Sequence, residues 1–246
     1  MRISFLFLAS TALLATACNA EKGASNSSGP EVTAAAVPAP NNGDWSTVVT
    51  KTPEGGFLMG NPNAKVKLVE FGSMTCPHCA EFEEQGGKAL VDNYVKKGLV
   101  SWEFRNFVRD PFDMTATLLA RCGGEANFFG MTRTLFHDQK NWIGKVQAAD
   151  QAQLQALQSM PPAQQFSTIA DLAGLKTFAA QRGVPRAKAD QCLANEAETN
   201  QLVQMNADAT TYNIPGTPAF LINNVLVEQV AGWEGLEPKI KEALAS

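Results

Sequence analysis

The alternation of apolar and polar positions divides this chain into a short strand–helix–strand unit, a long helical stretch, and a closing hairpin with a helix. Lys65-Val66-Lys67-Leu68-Val69-Glu70-Phe71 alternates at first and then becomes nearly continuous, which predicts a central strand. A helix is predicted from about Cys76 to Lys97, with Phe82, Leu90, Val91 and Tyr94 at helical spacing and a kink at Gly86-Gly87. Leu99 to Val108 reads as the next strand, ended by Pro111. A strand–helix–strand unit implies parallel neighbours in the sheet. Ahead of it, Gly55-Gly56 and Gly60-Asn61-Pro62-Asn63 are turn signals around a short apolar piece, Phe57-Leu58-Met59.

From Asp113 to about Tyr212 the periodicity is helical almost throughout. Asp113 is the expected N-cap of a helix over Met114–Cys122. Further apolar faces cover Phe128–Trp142, Ile169–Gln181, Arg186–Ala194 and Glu196–Thr211, with a break at Pro161-Pro162. Ala219–Ile222 and Val225–Val227 then flank Asn223-Asn224, a two-residue hairpin signal, and Leu236–Leu244 reads as a final helix. The expected class is α/β: a mixed sheet assembled from 44–112 and 212–246, with a helical insertion over 113–211.

The N-terminus changes the picture. Arg2 followed by a mostly apolar run from Ile3 to Ala17 reads as an export signal over residues 1–18. Leu14-Ala15-Thr16-Ala17-Cys18 resembles a bacterial lipobox, in which Cys18 would be acylated and would anchor the protein to a membrane face. The competing expectation is an ordinary signal cut after Ala17 or Ala20. Residues 19–43 are rich in Ala, Ser, Gly, Asn and Pro, and are expected to act as a flexible tether. No later apolar run reaches the roughly 18–20 residues of a membrane-spanning helix. With a net charge of -4 and scattered Lys and Arg, nothing suggests a nucleic-acid partner. Export would place the protein in the periplasm or on the outer face of a membrane. There the four cysteines other than Cys18 meet oxidising conditions, although composition alone does not fix their pairing.

Cys76-Pro77-His78-Cys79 carries the chemistry. A disulfide exchanger needs one thiol that is largely thiolate near neutral pH, and a second close enough to resolve the mixed disulfide. At a helix start, free N–H groups and the helix dipole favour a negative charge on Cys76. Pro77 suits the first helical position because it has no N–H to leave unpaired. His78 is expected to add a positive charge or a donor near the Cys76 sulfur, and Cys79 to be the shielded, resolving thiol. The rival reading, half of a zinc site, lacks a second ligand pair: Cys122 and Cys192 are far apart, and the other histidine is His137.

The run Leu68-Val69-Glu70-Phe71-Gly72-Ser73-Met74-Thr75-Cys76-Pro77-His78-Cys79-Ala80-Glu81-Phe82-Glu83-Glu84 resembles the active-site segment of DsbA-type thiol–disulfide oxidoreductases, which have a thioredoxin-like fold. Gly216-Thr217-Pro218-Ala219-Phe220 is similar to the cis-proline loop of that family. The resemblance spans about residues 45–245. It implies that Cys76 attacks and bonds the substrate, that Cys79 resolves, and that a cis Thr217-Pro218 lies opposite the pair. It further implies that Glu70 is a buried proton acceptor beneath the cysteines. The companion lysine of the family is not evident in Val100–Arg105, where Arg105 is the candidate substitute. A subset of the family carries a second disulfide in the insertion, here Cys122 with Cys192. The implied partners are exported, unfolded or partly folded proteins with cysteines, and a DsbB-like membrane protein for reoxidation; no cofactor is implied.

The direction of exchange stays open at this level. Pro-His between the cysteines is similar to the oxidase side, and Thr before the cis-proline to the isomerase side. A reductase or isomerase is therefore the alternative enzyme. A module holding Cu(I) on soft thiolates is the alternative from another class.

Overall fold

The computed structural model describes residues 42–246. Six strands form one mixed sheet: β1 (Val49–Lys51), β2 (Phe57–Met59), β3 (Val66–Gly72), β4 (Val100–Asn106), β5 (Ala219–Ile222) and β6 (Val225–Leu226), in the spatial order β1-β2-β4-β3-β5-β6. β3 and β4 run parallel from Val66↔Val100 to Gly72↔Asn106, and every other neighbouring pair is antiparallel. All of β4 is buried, as befits a strand with neighbours on both edges.

The β3–β4 crossover is α1, residues 77–95. It runs through α-helical Pro77–Phe82 and Lys88–Leu90 and π-helical Glu83–Gly87 and Val91–Val95. The glycine pair expected to kink this helix sits in its first wide turn. There a Cβ on Gly86 would lie 2.7 Å from the Trp233 side chain, and one on Gly87 would lie 2.5 Å from the Glu83 carboxylate. The wide turn widens the ring and brings the backbone against its neighbours, which only a residue without a Cβ allows.

Eight helices follow β4: α2 (Pro111–Arg121), α3 (Glu125–His137), α4 (Gln139–Gln147), α5 (Gln151–Leu157), α6 (Pro162–Leu172), α7 (Leu175–Ala180), α8 (Arg186–Leu193) and α9 (Glu196–Thr211). Three boundaries differ from the sequence expectation. The N-cap of α2 is Asp110, whose carboxylate accepts from Phe112 N and Asp113 N, so Pro111 opens the helix and Asp113 lies inside it. The apolar face over 128–142 is split between α3 and α4, and that over 169–181 is split at Gly174, whose φ of 71° halts α6. Asn223 and Asn224, with φ of 50° and 67°, make the β5–β6 turn, and α10 (Trp233–Ala245) closes the chain.

Side-chain alternation in β3 assigns two faces. Val66 and Leu68 belong to the main core, which runs under α1 and α10 and into the insertion; Val69 and Phe71 belong to a smaller cluster with Ala209, Ala219 and Leu221. Phe82 packs on Phe220 at 4.8 Å between ring centres, and Tyr94 on Trp233 at 6.2 Å, so α1 packs against both the sheet and the start of α10, which itself lies against β3. Phe128 stacks on Phe57 at 4.1 Å and carries the main core into α3. No helix among the described residues is long and apolar enough to cross a membrane.

Candidate active site

β3 ends at Gly72, where a Cβ would lie 2.4 Å from the Phe104 ring, and the chain then delivers the loop 73–76 to the start of α1. Cys76 is the N-cap and Pro77 the first helical residue. Both cysteines are free thiols and both are buried. The Cys76 thiol donates to the Thr217 carbonyl at 3.1 Å, and the Thr217-Pro218 peptide is cis. Two segments 141 residues apart thus meet at one sulfur.

The two thiols are held in opposite states. Cys76 is pulled from an ordinary 9.0 down to about 5, chiefly by a hydrogen bond from Cys79. Burial opposes this, while the Thr217 side chain and the backbone N–H groups of Cys79 and His78 reinforce it. The Thr217 hydroxyl is buried without a hydrogen-bond partner among the described residues, so it is a donor available to the sulfur once Cys76 ionises. Cys79 is pushed well above the ordinary thiol range by burial, then by its bond to Cys76 and the charge of Glu70.

Glu70 lies on the main-core face, 1% exposed, and accepts from Trp102 Nε1 at 3.1 Å. Burial first, then repulsion from Glu83, holds its carboxyl well above the usual carboxylate range. It is a buried acid beside Cys79, rather than a strand-end carboxylate facing water. Arg105 does not reach it. The guanidinium is taken by Glu103, at 2.8 and 2.9 Å, and lies about 6 Å from the Phe71 and Tyr212 ring centres, on the smaller cluster. Residues one apart on a strand face opposite ways, so an odd-numbered β4 position cannot serve both faces. The cation near the acids is Arg133 of α3, whose Nε donates to Glu83 at 2.6 Å. His78 also differs from expectation: its imidazole is exposed and meets Glu81 at 3.4 Å, and it is the His78 backbone N–H that favours the thiolate.

The loop itself is tied down by side chains whose part in the site the sequence pattern does not mark. Asp113 accepts from Met74 N at 2.8 Å and from Ser73 Oγ at 2.6 Å. Arg109 donates to Ser73 Oγ and Thr75 Oγ1 at 3.0 and 2.9 Å. Gln139 donates to the carbonyls of Met74 and Cys76 at 2.8 and 2.9 Å. Asp113 was legible only as a helix-start signal, and nothing in the pattern marked Gln139. A groove of about 760 Å³ lies alongside, between α1 (Pro77, Glu81, Glu84) and the insertion (Arg133, His137, Lys140).

Cys122 and Cys192 are joined by a disulfide that closes a separation of 70 residues. Among the described residues no group of three or more His, Cys, Asp and Glu side chains is placed to hold a metal ion. Cys18, and with it the proposed signal and most of the proposed tether, lies outside the described residues.

A family model described as thioredoxin matches residues 52–242. A solved structure named as a protein-disulfide isomerase from Novosphingobium aromaticivorans is 38% identical, covers 77% of this chain and 97% of its own, and superposes with a TM-score of 0.73. Wolbachia pipientis alpha-DsbA1, 20% identical over 79% of this chain and 92% of its own, shares the fold with a TM-score of 0.63. A protein of Rickettsia bellii provisionally named a protein-disulfide oxidoreductase is 27% identical over 74% of this chain. The chain spans about three-fifths of the length of the curated relatives it matches, 62% in that case. The matched family model, the crossover that starts on a Cys-x-x-Cys pair and the cis-proline against its first sulfur agree, and the fold with its helices inserted after β4 is shared with Wolbachia alpha-DsbA1: the chain belongs to the thioredoxin family.

Proposed function

We propose that this chain is an extracytoplasmic protein thiol–disulfide oxidoreductase that donates the Cys76–Cys79 disulfide to exported proteins. The observation that carries the reading is the opposed ionisation of the two thiols: Cys76 drawn down to about 5 and Cys79 held up by burial. Stabilising the Cys76 thiolate stabilises the reduced pair relative to its disulfide, which makes the disulfide a strong oxidant.

In the oxidised enzyme a substrate thiolate attacks Cys76 Sγ and expels Cys79 as thiolate, forming a mixed disulfide. Cys79 takes up a proton, for which Glu70, buried beside it, is the proposed relay. A second substrate thiolate then attacks its own sulfur in the mixed disulfide and releases Cys76 as thiolate. Two electrons pass from the substrate to the pair, and a membrane redox partner of the DsbB type would remove them. The Thr217 backbone beside Cys76 offers an extended substrate a strand-like partner. The Cys122–Cys192 bond supports an oxidising compartment, and the N-terminal export pattern supports the periplasm, with lipid attachment at Cys18 as a separate proposal.

Equilibration of the pair with glutathione tests the direction. A potential nearer about −120 mV than about −270 mV supports disulfide donation, and a value near the lower figure favours a reductase. The second reading is an isomerase. It is favoured by Thr217 ahead of Pro218 and by the name of the 38% identical structure. Recovery of scrambled, oxidised ribonuclease at a rate exceeding the oxidation of reduced ribonuclease would select it.

A further inference from the structure

We propose that Gln139 is a positioning residue for the redox pair: its carboxamide, held in the insertion, fixes the carbonyls of Met74 and Cys76 and so sets where the Cys76 sulfur sits. The inference deepens the proposed redox reading and rests on it. Gln139 is the first residue of α4, 4% exposed, and its Nε2 donates to both carbonyls within 2.9 Å. Met74, between them, is wholly buried, and its N–H is taken by Asp113 of α2. Both backbone polar groups of Met74 are therefore satisfied by insertion side chains, from two different helices. Buried backbone groups must be paired, and here the partners are two carboxamide hydrogens and one carboxylate from outside the sheet.

The consequence is electronic as well as steric. Cys76 O accepts from Gln139 and, at 3.3 Å, from Ala80 N, the first bond of α1. That carbonyl defines how the N-cap residue meets the helix, and hence whether Sγ lies within reach of the Cys79 and His78 N–H groups and of Thr217. A neutral donor achieves this without placing a charge beside the sulfur. Without it the Cys76 peptide can rotate away from the donors that lower the thiol pKa.

The test is the Gln139→Met variant, equal in length without a donor, and Gln139→Asn, which keeps a carboxamide too short for both carbonyls. The readouts are thiolate absorbance at 240 nm against pH and the equilibrium of the Cys76–Cys79 pair with glutathione. The Met variant should raise the thiolate pKa by about one unit and shift the glutathione equilibrium roughly tenfold towards the disulfide. The Asn variant should fall between it and the parent. Parental titration and equilibrium in the variants that fold would overturn the proposal even if their melting temperatures drop. If the Met variant does not fold, the Asn variant decides alone. Because each readout is a difference from the parent protein, a parent that proves weakly oxidising would count against the donor reading and leave this comparison intact.

Discussion

At the residue scale, everything turns on one sulfur being charged while its neighbour is not. Replacing Cys76 with Ser should abolish disulfide transfer to reduced ribonuclease. Replacing Cys79 with Ala should leave mixed disulfides visible on non-reducing gels, and their absence would remove the assigned order of attack. The pH dependence has a definite sign. Cys76 has a folded value of about 5 against an ordinary 9.0, so its thiolate stabilises the reduced fold fully above pH 9 and progressively less as pH falls to about 5. The buried acids Glu70, Glu83 and Asp113, whose values are raised mainly by burial, pull the other way, but they occupy both redox forms and largely cancel when the two are compared. The melting temperature of the reduced protein minus that of the oxidised protein should therefore climb between pH 5 and 8. A flat difference would mean an ordinary thiol. Glu70→Gln leaves a neutral group of the same shape beneath Cys79 and removes a titratable proton. Resolution of a Cys76 mixed disulfide, followed by stopped flow, should slow several-fold, and parental rates would exclude Glu70 as a relay.

At the element scale, α1 holds the pair in place because its first wide turn brings it against α10. A Cβ at Gly86 would enter the Trp233 side chain. Gly86→Ala should thus destabilise the fold by about 1–3 kcal/mol in urea titration, the usual cost of overpacking, despite the better helix propensity of alanine. A stabilised variant would show that α10 yields readily. The Cys122–Cys192 bond constrains a different element, the insertion. By chain entropy, closing 70 residues is worth about 4 kcal/mol. The double Cys122→Ala, Cys192→Ala variant should lose about 2–4 kcal/mol of stability while keeping the parental Cys76–Cys79 potential; a shifted potential would show the two disulfides to be coupled.

At the scale of the whole molecule, the insertion is part of the active site as well as a cover on the sheet. Gln139, Asp113 and Arg133 reach from three of its helices to the redox loop and to Glu83. The core is continuous from Phe82 and Phe220 through Phe104 and Phe128. Motion of the insertion against the sheet would therefore disturb the loop that carries Cys76.

Much of this was legible in the chain. The period-two run into Cys76, the Pro after it, the Asn-Asn hairpin and the distant Thr-Pro are local signals, since helix starts, turns and strand faces are set by neighbours in sequence. Helix splits at Asp138 and Gly174 were not, because one apolar face continues across both and only packing decides where the axis turns. The same limit applied to the site. Sequence determined which sulfur would be activated and roughly why. Tertiary structure decided that the histidine ring turns to Glu81, that Arg105 spends its charge on Glu103, and that Gln139 and Asp113 hold the loop. Those choices depend on which side chains become neighbours across dozens of residues, and a buried amide or carboxylate leaves no periodic trace in the sequence that folds around it.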